Sequence, residues 1–286
     1  MVAAAWLVSK AQFYWERRPE MQFGWAVLML CAFLFWEAWP QRPQARFQAR
    51  FLPATMIFAG GALLFLIQLY ISAVGMNPAA LSGLCLGILL IIFADYLWVF
   101  GFPGVRHFAF PTLFFLIALP MPGLIYDPVV STLQSLVVSL DVSVLSLLGI
   151  PAEASGSLIR LPAGVVGVSE ACSGIRSIQS TVMATLFIGY LALKNGSLKT
   201  ILFATGIALA VVGNVIRSVF LCLEANARGI KAVDEVHDAA GWSILAFTTV
   251  GVALAAWWFS RLDKRMTEVR ARAAARKSTA SAASSA

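Results

Sequence analysis

Charge is scarce in this chain: only 12% of its 286 residues are charged, against 60% that are hydrophobic. A soluble domain carries roughly twice that charged share, so a water-surrounded globule is excluded, and a mean hydropathy of +0.82 places the chain in lipid. Histidine is scarcer still, with His107 and His237 alone, so no His-rich metal centre is expected. The four cysteines, Cys31, Cys85, Cys172 and Cys222, form no CxxC pair, which removes redox and zinc-knuckle motifs. Neither a cofactor nor a metal is expected. Alternating segments of about ten residues are missing, so a β-barrel is excluded. No internal repeat is visible, which speaks against the matched broken helices of many transporters. A cleavable leader is not expected, because the first twenty residues carry Lys10, Glu16, Arg17, Arg18 and Glu20 without a convincing small-residue cleavage site.

What is present is a series of continuous apolar runs, and about 20 residues cover the hydrocarbon core as a helix. The expected fold class is an all-α integral membrane protein of about eight transmembrane helices, over 22–39, 52–73, 79–100, 108–125, 129–149, 172–193, 198–223 and 240–259. Pro111, Pro120 and Pro122 make the fourth the weakest. Asp141, with Gln134 in the same run, is expected to face protein or water, since a carboxylate at that depth avoids lipid. Between the fifth and sixth runs, Ser157–Leu161, a Pro-Ala-Gly turn and Val165–Val168 read as a small β-hairpin on the periplasmic side. The chain then divides into an N-terminal cytoplasmic or interfacial segment (1–21), a first set of helices (22–149), a core of hairpin plus last three helices (150–260) and a basic, disordered cytoplasmic tail (261–286).

The net charge of +7 does not point to nucleic acid. Seven basic residues, Arg261, Lys264, Arg265, Arg270, Arg272, Arg276 and Lys277, follow the last run, as the positive-inside rule expects of a cytoplasmic end. They also suit anionic lipid headgroups. The short Lys194–Lys199 loop falls on the same side. Arg42, Arg46 and Arg50 fall on the other side, against the rule.

Successive spans alternate direction, so the start of the sixth, the end of the seventh and the start of the eighth share a face. Those three places hold Cys172, Arg217 and His237. Ser169 is placed as a helix N-cap with Cys172 in the first turn, where the helix dipole favours a thiolate. Arg176 stands one turn further on the same face, and Glu170 and Ser173 flank the thiol. A thiolate attacks carbonyls. Asn214, Arg217 and Ser218 line one face of the seventh helix, and a charge inside a span is a functional candidate. His237 lies among Asp234, Glu235 and Asp238, and an imidazole suits proton transfer near neutrality. Cys31, Cys85 and Cys222 read as small apolar packing residues, and His107 as a polar group at a membrane edge.

Glu170-Ala-Cys-Ser-Gly-Ile-Arg-Ser177, then Asn214-Val-Ile-Arg217, then His237 with Gly241-Trp242, together resemble the exosortase/archaeosortase family of membrane transpeptidases, over roughly residues 150–260. The resemblance implies a cysteine peptidase in which Cys172 is the nucleophile and Arg217 and His237 complete a triad, with Glu170, Ser173, Arg176 and Asn214 in support. Histidine in the third position looks like the bacterial side of the family. Substrates implied are exported proteins that end in a short motif of the Pro-Glu-Pro (PEP-CTERM) type, a transmembrane helix and a basic tail. The implied place is a bacterial inner membrane with the site facing the periplasm. The outcome is cleavage through a thioester and transfer toward the cell envelope. A transporter, or a membrane assembly factor without chemistry, is the competing reading; either would tolerate replacement of Cys172.

Overall fold

In lipid the backbone has no partner but itself, and runs this apolar close their hydrogen bonds as helices. The structure is a computed structural model and describes residues 2–18, 21–45, 47, 51–167 and 174–284. Among these lie α1 (Val2–Arg17), α2 (Gly24–Ala38), α3 (Phe51–Val74), α4 (Pro78–Leu113), α5 (Gly123–Leu147), α6 (Ile175–Ala192), α7 (Gly196–Arg228) and α8 (Lys231–Ser284). Three short strands, β1 (Glu153–Ser155), β2 (Leu158–Leu161) and β3 (Gly164–Gly167), separate α5 from α6. The all-α membrane class with a small β element is therefore the fold.

Among the described residues, five stretches are long and apolar enough to cross a membrane: Phe51–Val74, Pro78–Ala118, Gly123–Leu147, Gly196–Arg228 and Glu235–Val269. Eight were expected. α2 has only 15 residues and α6 only 18. The expected span 108–125 is not one helix: it joins the end of α4, a 3-10 turn over Phe114–Ala118, an irregular stretch and the start of α5. The prolines are the cause, since Pro120 and Pro122 supply no N–H to continue a helix. α4 itself is two segments meeting at Gly101, whose φ of 70° is open to glycine at little cost.

The chain forms two compact units, Met1–Val129 and Val130–Ala286. They part inside α5. In the first unit α3 and α4 touch through glycine: a Cβ on Gly60 would stand 2.8 Å from the Gly87 carbonyl oxygen. Such small contacts let helix backbones approach where lipid offers no hydrophobic drive. Trp15 is fully buried and its Nε1 donates to the Ala118 carbonyl at 2.7 Å. His107 Nε2 donates to the Ala38 carbonyl at 2.8 Å, a tie between α2 and α4.

In the second unit α6, α7 and α8 pack together. Gly206 of α7 meets Thr181 and Thr185 of α6 and Val252 of α8, Gly213 meets Ile244 and Thr248, and Gly251 meets Leu209. Rising numbers on α7 meet falling numbers on α8, so those two helices run antiparallel. Val137, Val138 and Leu145 of α5, Ile159 and Leu161 of β2, and Val219, Cys222 and Ala225 of α7 share one core. The expected hairpin is a three-stranded antiparallel sheet in order β1-β2-β3. β1 pairs Glu153 with Arg160 and escaped the sequence reading because Glu-Ala-Ser has low strand propensity. The tail, expected to be disordered, continues α8 as helix to Ser284; its alanines, arginines and lysines are good helix formers.

Candidate active site

Arg217 and His237 are 20 residues apart in sequence, yet Arg217 Nη2 and His237 Nε2 are 2.9 Å apart. Arg217 stands about three turns before the end of α7, and His237 in the second turn of α8. The antiparallel pairing of those helices brings them level, and both side chains are half-buried. Gly241, one turn along α8 from His237, lies beside the guanidinium: a Cβ there would be in ordinary contact with Nη2 at 3.7 Å.

The bond fixes the chemistry of the ring. A guanidinium has only N–H donors and no acceptor, so Nη2 donates and Nε2 accepts. The imidazole is then the neutral tautomer with its proton on Nδ1. That nitrogen faces Asp238 Oδ1 at 3.4 Å, a loose contact to a carboxylate whose side chain is 95% exposed. Arg217 Nε is buried and has no acceptor among the described residues.

Asn214, one turn from Arg217, is 3% exposed. It packs on Gly174: a Cβ at Gly174 would fall 2.8 Å from Asn214 Cγ. Gly174 has φ 84° and precedes α6, which begins at Ile175. The helix described here thus begins three residues after Cys172, and the expected N-cap at Ser169 and first-turn place of Cys172 fall outside the described residues. Ser169, Glu170, Cys172 and Ser173 lie outside the described residues. Arg176 is in the first turn of α6 and exposed, two residues from the Gly174–Asn214 contact. Asn214 thus places the chain two residues after Cys172 at the α7 face that carries Arg217.

A further polar pair went unseen in the sequence. Ser218 Oγ of α7 donates to Asp141 Oδ2 of α5, and both residues are buried. Asp141 was expected to avoid lipid and does; its partner, adjacent in sequence to Arg217, was visible only as a polar residue in an apolar span. At the rim, Arg228 pairs with Glu224 and Glu235 at 3.3 Å each. These exposed ion pairs contribute little to stability.

A bundle of apolar helices with an arginine–imidazole pair at one end, approached by a short sheet, defines an integral membrane protein with a polar centre among its helices. The model of the transmembrane exosortase family matches residues 15–254, and the chain belongs to that family. It is accordingly a membrane transpeptidase of protein sorting, of a family that acts on exported proteins carrying sorting signals. Comparison with curated proteins and with solved structures gave no match.

Proposed function

We propose that this chain is a cysteine transpeptidase that cleaves C-terminal sorting signals of the Pro-Glu-Pro type from exported proteins. Cys172 is the nucleophile, Arg217 the oxyanion donor and His237 the acid–base group, with Glu170, Ser173, Arg176 and Asn214 around them. The site faces the periplasm from a bacterial inner membrane. The observation that carries this reading is the Arg217–His237 hydrogen bond, beside the helix whose approach holds Cys172.

In the free enzyme the one lone pair of His237 Nε2 is taken by Arg217, so it is closed to the thiol proton. When the scissile carbonyl arrives, its oxygen attracts the guanidinium, whose buried Nε has no other acceptor among the described residues. Nη2 leaves the ring and Nε2 opens. Cys172 then loses its proton to Nε2 and its sulfur bonds the carbonyl carbon. Oxyanion charge is met by the fork, a contribution of about 3 kcal/mol for a well-placed donor. The C–N bond breaks, the amine leaves with the proton from Nε2, and a thioester remains. An acceptor nucleophile gives its proton to Nε2, displaces the sulfur and releases the sorted protein, and Nε2 returns that proton to the Cys172 thiolate.

The test is to incubate the protein with a reporter ending in a Pro-Glu-Pro motif, an apolar helix and an arginine cluster. An acyl adduct on Cys172 is expected by mass spectrometry after acid quench, and none in Cys172→Ser. Full processing by Cys172→Ser would return the chain to the reading without chemistry.

A further inference from the structure

The two edges of the sheet differ. β1 follows Pro151 and opens on Glu153; proline and charge are what blunt an edge against further pairing. β3 reads Gly164-Val165-Val166-Gly167, with no charge, no proline and two β-branched residues. Among the described residues it pairs with β2 on one side only. Its inward residue Val166 is anchored on the core that includes Val219 and Cys222 of α7. Gly164 abuts Ile230 at the α7–α8 corner. Cys172 lies five positions after Gly167, a reach of at most about 17 Å. An anchored, unprotected strand therefore runs straight into the segment that holds the nucleophile.

The turn shows which backbone groups are open. β2 and β3 are joined by Pro162 and Ala163 alone, with Leu161 opposite Gly164. In a two-residue hairpin the closing pair exchanges its hydrogen bonds, and bonded pairs then alternate. Leu161–Gly164 and Ile159–Val166 are the bonded pairs. Val165 and Gly167 direct their N–H and C=O away from β2.

We propose that this outer edge of β3 binds the substrate: an extended segment of the exported polypeptide adds as a fourth strand and so carries its scissile bond to Cys172. Main-chain bonds supply affinity in this mode, and side chains at alternate positions supply selectivity. The inference rests on the functional reading above and deepens it. Another chain's β3 and an unrelated polypeptide are the competing occupants.

The test uses the full-length protein and the same reporter. Val165→Pro removes an outward N–H and no β2–β3 bond, and edge strands accept proline at such places. Its processing rate is expected to fall at least about fivefold, the value of one hydrogen bond, with the thermal transition in detergent unmoved. Processing at the wild-type rate would overturn the proposal. Independently of turnover, Val165→Cys in a Cys172→Ser background is oxidised with reporters carrying one cysteine at successive positions around the motif. Disulfides are expected at every second position, the period of a paired strand, and none with Ser155→Cys on the β1 edge. Trapping at all positions, at none, or only between two Val165→Cys chains would overturn it. Cleavage by the wild-type chain with no alternation in trapping defeats the edge alone; no cleavage defeats the functional reading with it.

Discussion

Arg217 donates from Nη2 to His237 Nε2, and its buried Nε–H has no acceptor among the described residues; in the proposed reaction that N–H meets the substrate's oxyanion. A lysine keeps the charge and loses the planar geometry that allows both at once. Arg217→Lys is therefore expected to lower processing of the reporter about a hundredfold or more, the usual loss for one oxyanion donor, while its thermal transition in detergent stays put. Near-normal turnover would remove Arg217 from that role. The pair was legible in sequence because a charge in an apolar span stands out against its surroundings. The tautomer was not, since it depends on a contact between two helices. Gly174 was not read as a turn either. Its φ of 84° and the Asn214 side chain packed where a Cβ would be are facts of tertiary structure.

Helices were legible where apolar runs met clean ends. Asn77 caps α4 by accepting from the Ala80 N–H, and Asn195 caps α7 by accepting from the Ser197 N–H. They were illegible where prolines broke a run without ending the membrane segment, as at 108–125. α6 and α8 are tied at the end of the bundle away from His237. Asp263 of α8, only 6% exposed, accepts from the Lys194 N–H at 2.6 Å and the Asn195 N–H at 3.3 Å. Truncating it leaves two backbone donors unmet, at about 1–3 kcal/mol each when buried. Asp263→Ala is expected to lower the thermal transition of the purified protein, and Asp263→Asn, which keeps one acceptor oxygen, to lower it less. An unchanged transition in both variants would show that the clamp is idle.

For the whole molecule, the direction of the chain across the membrane is the testable quantity. In the proposed orientation, the basic turns after Arg261 and the short loop at Lys194 are cytoplasmic, as the positive-inside rule expects, and the end of α7 and the start of α8 are outside. A membrane-impermeant thiol reagent added to intact cells is expected to label Cys172. It is not expected to label Cys31 or Cys85, which are 6% and 1% exposed. Labelling of Cys172 only after the inner face is opened would reverse the orientation. Composition alone was enough to read the solvent and the fold class. Eight apolar runs were read as spans; five of the described helices meet the length and hydropathy of a crossing, and α2 and α6 are the short ones, at 15 and 18 residues.

α8 has one further consequence. It runs 54 residues without interruption, about 81 Å of axis at 1.5 Å per residue, more than twice the thickness of a hydrocarbon core. His237 sits near one tip, and the apolar stretch Glu235–Val269 ends well before the other. A rod of that length would act as a lever: a pull beyond Val269 is expected to arrive as a small tilt at the imidazole, with a single ladder of backbone hydrogen bonds as the shaft.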